Sequence, residues 1–229
     1  MTAFVLVHGA YQGGWIWKLV AERLVAAGHH VLAPTLDGCA ERRHQLRAGI
    51  TTETQADELA EMLRYHDLID VVLVGTSSGG MVMARLAEIA RERIARLVFA
   101  DALMLMDGEK IRDIVTRPAA VNTDLALGPT REDAENRLLA DLEPGLRSWA
   151  AERFCLHPQA VFNQPVRLER FWDLPWQATV IWCSGAENPG EAHQRRAADR
   201  LDARWHAMDT GHYPMLSMPH ELSQIIEAG

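Results

Sequence analysis

Lysine is nearly absent from this 229-residue chain, which has only Lys18 and Lys110. No P-loop lysine therefore follows the glycines of "GTSSGG", and those glycines also lack the spacing of a dinucleotide fingerprint. Cysteine is scarce too. Cys39, Cys155 and Cys183 are odd in number and far apart, so a disulfide framework is not expected and a reducing compartment fits. A basic surplus is missing: the formal net charge is −8, so the footprint of a nucleic-acid-binding face is absent. No apolar run exceeds strand length, so no membrane span is expected. "MTAFVLVHGA" has neither a basic n-region nor a long apolar h-region, so a cytoplasmic protein without a signal peptide is expected. His, Asp and Cys nowhere cluster at zinc-like spacing, so no metal site is expected.

What is present is alternation. Short branched runs at 3–8, 30–36, 71–76, 96–101, 178–183 and 203–208 read as strands. Helical-period stretches separate or follow them at Trp15–Ala27, Thr52–His66, Gly80–Ile94, Glu191–Ala203 and Pro219–Ala228. This pattern predicts an α/β domain with a mostly parallel, doubly wound sheet of about six strands and its site at the carboxyl edge. Residues 103–176 break the rhythm. They show short helical patterns and no convincing strand, and they read as a helical cap inserted between core strands of a single domain spanning 1–229.

The densest chemistry lies in "VVLVGTSSGGMVMARLAEIA", residues 71–90. Gly75-Thr76-Ser77-Ser78-Gly79 is G-x-S-x-G between a strand and a helix, which makes Ser77 the candidate nucleophile. Glycine on each side allows a turn too tight for larger residues. The helix N-terminus favours negative charge there. Ser78 contributes its backbone N–H to an oxyanion hole, and Ala10 in "VLVHGAYQGGW" is the candidate second donor. His8 reads as a residue that orders that loop. Of the ten histidines, His212 in "DTGHYPM" follows the last strand, where chain order places the general base.

"VHGAYQGGWIW", "PTLDGCAERRH", "VVLVGTSSGGM", "RLVFADALMLMDGE" and "DTGHYPMLSMPHEL" occur in family order. Through them the chain resembles the α/β-hydrolase superfamily, nearest to small bacterial hydrolases related to the plant methylesterase and hydroxynitrile lyase group. The resemblance implies a cofactor-free Ser-His-acid hydrolase of esters, lactones or thioesters. Tyr213 stands beside the candidate base where lyases of that group typically carry a lysine, which speaks against lyase chemistry.

The resemblance leaves two sites open for the acid. On the loop after 178–183 the acid position falls on Asn188, with Glu187 one residue away. At the tip of the preceding strand stands Asp101, the preferred candidate, with Glu187 as the alternative. The cap aromatics Trp149, Phe154, Phe162, Phe171, Trp172 and Trp176, with Tyr11, Trp15 and Trp17, suggest an apolar pocket, and Tyr11, Trp149 and Phe154 are its candidate lining. The expected partner is a small hydrophobic substrate, and self-association stays open. Two readings compete: a serine esterase, and a hydrolase-like protein that binds a ligand or runs a non-hydrolytic, lyase-type step.

Overall fold

The computed structural model describes residues 1–115 and 119–228; positions 116–118, inside the expected cap, and 229 lie outside the described residues. The main sheet contains β1 (Ala3–Val7), β2 (His30–Leu32), β3 (Val71–Ser77) and β4 (Ile94–Ala102). Three short cap strands follow, β5 (Val121–Asn122), β6 (Ala126–Gly128) and β7 (His157–Pro158), before β8 (Ala178–Cys183) and β9 (Arg204–Met208) return to the main sheet. The six main strands run in the order β2-β1-β3-β4-β8-β9, with every neighbouring pair parallel.

Period-two alternation explains why these strands are apolar on both faces. Phe4, Leu6, Val72, Val74, Val98 and Ala100 face one layer, with Val20 and Leu24 of α1 (Lys18–Ala26) and Leu222 and Ile226 of the C-terminal helix Pro219–Ala228. Their sequence neighbours Val5, Val7, Leu73, Leu97 and Phe99 face the other layer. There they meet Leu59 and Leu63 of α2 (Thr52–Tyr65) and Met81 and Leu86 of α3 (Gly79–Ile89). Each such side chain, fully buried, stabilises the fold by about 1.5–3 kcal/mol. Thr51 caps α2: its hydroxyl accepts from Thr54 N–H while Thr54 Oγ1 accepts from Thr51 N–H. Gly28, at φ +88°, lies beyond the end of α1.

Three boundaries depart from the sequence expectation. β2 stops at Leu32 instead of reaching residue 36; Pro34 has no N–H for a ladder, and Thr35 Oγ1 is taken by Gly14 N–H at 2.9 Å. The third helix ends at Ile89, a single 3₁₀ turn spans Arg91–Arg93, and β4 begins at Ile94, two residues before the expected 96. The third departure is in the cap, which is not purely helical. Besides Ile111–Ile114, Pro144–Ala151 and Gln159–Asn163 it contains the antiparallel sheet β5-β6-β7. A tight turn closes β5 onto β6, with Thr123 Oγ1 accepting from Ala126 N–H. Strands of two or three residues are too short to show any periodicity.

Candidate active site

The turn after β3 carries Ser77 with φ at +50°, a left-handed conformation that an L-serine adopts only under constraint. The constraints are backbone collisions. A Cβ on Gly75 would sit 3.1 Å from the Gly79 carbonyl oxygen, and one on Gly79 would drive into the Val7 and His8 carbonyls. Gly80, not singled out from sequence, is equally confined, since its Cβ would meet the Leu103 carbonyl oxygen at 2.5 Å. Ser78 immediately precedes α3, so Ser77 stands over the N-terminus of an 11-residue helix.

Asp101 is displayed by a second irregularity. β3 and β4 pair Thr76 with Ala100 and then Ser77 with Ala102, so Asp101 is the extra residue of a bulge, at φ +47°. Leu103 N–H donates to the Ser77 carbonyl at 2.8 Å, fastening the two strained tips together. The bulge turns the Asp101 side chain toward the neighbouring strand. Its Oδ1 accepts from Cys183 N–H at 3.2 Å and its Oδ2 lies 2.5 Å from His212 Nδ1. Asp101 is completely buried, and burial pushes its carboxyl above the usual range while the His212 contact pulls it back. Glu187 is exposed on the loop after β8, with its charge near Arg137. Asp101 is thus the carboxylate hydrogen-bonded to His212.

His212 follows β9 on a loop held by Gly185 N–H to the Thr210 carbonyl and by Gly211 N–H to Asp141 Oδ2 at 3.1 Å. The loop after β1 approaches Ser77 closely: a Cβ on Gly9 would lie 3.2 Å from Ser77 Oγ. His8 orders this loop. Its Nε2 accepts from Leu36 N–H at 2.9 Å, which leaves Nδ1–H to donate to the Gly9 carbonyl at 2.7 Å. Burial lowers the His8 pKa to about 4, so the ring is neutral. In a trans peptide C=O and N–H point oppositely, so fixing the Gly9 carbonyl also fixes the direction of Ala10 N–H.

Ser77, Ser78, Ala10, Tyr11 and His212 share one cavity of about 800 Å³ including its mouth. Leu103, Ile111, Val115, Leu138, Phe162 and Tyr213 make most of its wall apolar, and Asp133, Arg137 and Asn188 make one side polar. Arg137 is clamped there by Asp133, Nη2 to Oδ2 at 2.7 Å. Two expected lining residues are corrected. Trp149 packs edge-on against Trp15 at 5.4 Å, and Phe154 packs against Trp15 and Tyr213, so both join cap to core outside the cavity wall. Of the cap aromatics, Phe162 reaches the cavity, stacked on Tyr11 at 5.9 Å. Ile111, Val115 and Arg137 had no signal in the sequence, because their helical turns are too short or, at Ala134–Leu138, π-helical. Among the described residues no group of His, Cys, Asp or Glu is arranged to hold a metal ion, and no helix is long and apolar enough to cross a membrane.

A strained serine at a strand-to-helix turn, with a buried aspartate hydrogen-bonded to a histidine at the same sheet edge, is the architecture of a hydrolase built on a doubly wound sheet. The chain belongs to the alpha/beta hydrolase family, whose model matches residues 4–225. It is 28% identical over 242 residues to a carbendazim-hydrolyzing esterase of Nocardioides sp. (strain SG-4G), covering 100% of this chain and 99% of that one. An alpha-hydroxynitrile lyase of Arabidopsis thaliana is 37% identical over 102 residues, 44% of this chain and 40% of that protein. Among solved structures, an extracellular alpha/beta-hydrolase from a Paenibacillus species matches the fold with a TM-score of 0.86 at 19% identity, covering 100% and 99% of the two chains. Polyneuridine aldehyde esterase matches it with a TM-score of 0.79 at 21% identity, covering 100% and 98%.

Proposed function

We propose that this protein is a serine esterase that cleaves small carboxylic esters with an apolar acyl group through an acyl-enzyme on Ser77. The observation that carries the reading is the hydrogen bond from the buried Asp101 to His212 at the cavity that Ser77 lines. With Asp101 on Nδ1, the His212 ring keeps its other nitrogen, Nε2, free to act as base. Ser77 Oγ attacks the ester carbonyl carbon as its proton passes to His212 Nε2. The carbonyl oxygen becomes an oxyanion, held by the N–H groups of Ala10 and Ser78 and by the positive end of α3. His212 returns the proton to the departing alkoxide, and the alcohol leaves. Water, deprotonated by the same nitrogen, then attacks the acyl carbon, releasing the acid and restoring Ser77.

The apolar wall of Leu103, Ile111, Val115, Leu138 and Phe162 favours an uncharged hydrocarbon or aromatic acyl group. The likeness to an esterase along the whole chain supports the reaction class. The test is a panel of aryl, methyl and lactone esters, run with wild type and Ser77→Ala. Turnover by wild type that is lost in Ser77→Ala, with fluorophosphonate labelling of the Ser77 peptide, is expected. Labelling at Ser78, or full activity in the alanine variant, excludes the scheme. Lyase-type turnover of a cyanohydrin without ester hydrolysis would establish the competing chemistry.

A further inference from the structure

The sheet edge opposite Ser77 holds a second, polar cleft. It measures about 570 Å³ including its mouth and lies where β4, β8 and β9 begin, with Arg96, Trp176, Thr179, Asp202 and Arg204 in its walls. Val98, Ile181 and Met208 face the layer that holds the C-terminal helix, so period-two alternation puts Arg96, Thr179 and Arg204 on that same face. Thr179 pairs with Val98 on one side and with Arg204 on the other. Arg96 is 9% exposed, and a guanidinium so buried ordinarily faces a carboxylate. Instead its Nη2 donates to the Ile226 carbonyl at 2.8 Å, and Arg204 Nη1 donates to the Ala228 carbonyl at 3.1 Å. Neither arginine forms an ion pair among the described residues. Burial, and then the charge of Arg204, push the Arg96 pKa below its ordinary value. Thr179 is 1% exposed, and its hydroxyl has no hydrogen-bond partner among the described residues.

Capping the C-terminal helix accounts for only part of this arrangement. A guanidinium has five N–H donors, and each of these two spends one on a carbonyl. The two carbonyls stand two residues apart, within one helical turn, so two like charges are held at one helix end. Asp202, exposed and at φ +48°, sets one negative charge against them and forms no ion pair with either. We propose that this cleft binds a compact oxyanion of the phosphate class, with Arg96 and Arg204 donating to its oxygens and the Thr179 hydroxyl donating a further bond. Two guanidinium forks and a hydroxyl offer more donors than the two oxygens of a carboxylate can take, whereas a phosphoryl group presents three acceptor oxygens. Because the cleft lies at the amino edge of the sheet, its ligand is separate from the ester cleaved at Ser77.

The test is calorimetric titration of the full chain with inorganic phosphate, beside sodium chloride at matched ionic strength. One phosphate per chain, with a dissociation constant of about 1 mM or tighter, is expected. Arg204→Gln keeps an N–H for the Ala228 carbonyl and removes the charge; it should weaken binding at least about tenfold. Thr179→Val keeps the shape and removes only an unpaired hydroxyl, so it should hold or raise Tm without phosphate while weakening binding about three- to tenfold. Ester turnover should stay at the wild-type level in both variants, since neither residue lines the catalytic cavity. No saturable heat with phosphate overturns the proposal, as does undiminished affinity in either variant, which would put the anion elsewhere. Acetate binding as tightly as phosphate overturns the ligand class. Glycerol 3-phosphate separates the sources: tighter binding than inorganic phosphate assigns the cleft to a phosphorylated metabolite, and equal or weaker binding assigns it to the free ion. The titration needs no turnover, so its outcome is independent of the esterase reading.

Discussion

Replacing Asp101 by Asn separates catalysis from stability at one atom. The carboxylate is completely buried and touches two groups, Cys183 N–H through Oδ1 and His212 Nδ1 through Oδ2. Asparagine keeps the shape, and its carbonyl oxygen can hold only one of them. If it keeps Cys183 N–H, its NH₂ faces His212 Nδ1, which must then accept, so the ring proton moves to Nε2. That tautomer cannot take the Ser77 proton. In serine proteases the equivalent change lowers turnover about 10⁴-fold, close to 5.4 kcal/mol of transition-state stabilisation at about 1.36 kcal/mol per decade. The same carboxylate–imidazole hydrogen bond makes a loss of that order the expectation here. Stability should move the other way. Burial raises the Asp101 pKa, so the folded protein binds this proton more tightly than the unfolded chain does. The contribution is favourable at low pH and is lost as pH rises through the folded-state pKa; at neutral pH the ion weakens the fold. Asp101→Asn should therefore equal or exceed wild type in Tm at pH 7. The assay is steady-state hydrolysis of an aryl ester beside a calorimetric scan, with Glu187→Gln in parallel. Turnover within tenfold of wild type for Asp101→Asn, or a larger loss for Glu187→Gln, refutes the assignment.

His212→Ala should leave a folded protein with little ester turnover; wild-type turnover in the variant counts against the base. Trp149→Ala should lower Tm with relative rates across acyl sizes unchanged, whereas Phe162→Ala should shift those rates toward bulkier acyl groups; equal effects on both readouts would show that the cavity wall is misassigned. Gly80→Ala should fail to fold stably, because the new Cβ would meet the Leu103 carbonyl, and a wild-type Tm would contradict the packing. Burial lowers the pKa of His8 to about 4, of His157 to about 3 and of His193 to about 4, so the unfolded chain takes up these protons first as pH falls. Stability supplied by the neutral rings is present above the ordinary histidine value of 6.5 and is lost toward about 4, at about 1.4 kcal/mol per pH unit for each ring. Urea unfolding at stepped pH should show that decline, and a flat profile from 6.5 to 5 refutes it.

How far the sequence reaches depends on how locally each feature is encoded. The six main strands and their helices were legible because burial on two faces demands unbroken branched runs, and these are visible without knowledge of contacts. Ser77 was legible because its turn needs glycines at fixed spacing. The small sheet in the cap was not, since a three-residue strand such as Ala126–Gly128 is specified by its neighbours and carries no period of its own. The cavity wall was misjudged for a related reason. Aromatic residues are conspicuous in a sequence, yet Trp149 and Phe154 are spent joining cap to core, while the less conspicuous Ile111 and Val115 face the site.

The acid shows where the two levels meet. Asp101 could be proposed from sequence because the family resemblance offers the tip of the strand beside Ser77 as one of two sites for the acid, but position alone would send its side chain to one face of the sheet or the other. The bulge decides. Skipping Asp101 in the β3–β4 register advances the following residues by one, so Ala102 pairs with Ser77 and Leu103 N–H closes onto the Ser77 carbonyl. Asp101 is left at positive φ with its carboxylate turned toward Cys183 and His212. One irregularity thus fixes Asp101 relative to Ser77, since both tips share the same hydrogen bond. The carboxylate that reaches His212 is therefore not on the loop after β8. Asn188 lines the cavity there, and the exposed Glu187 stands near Arg137 at its polar side.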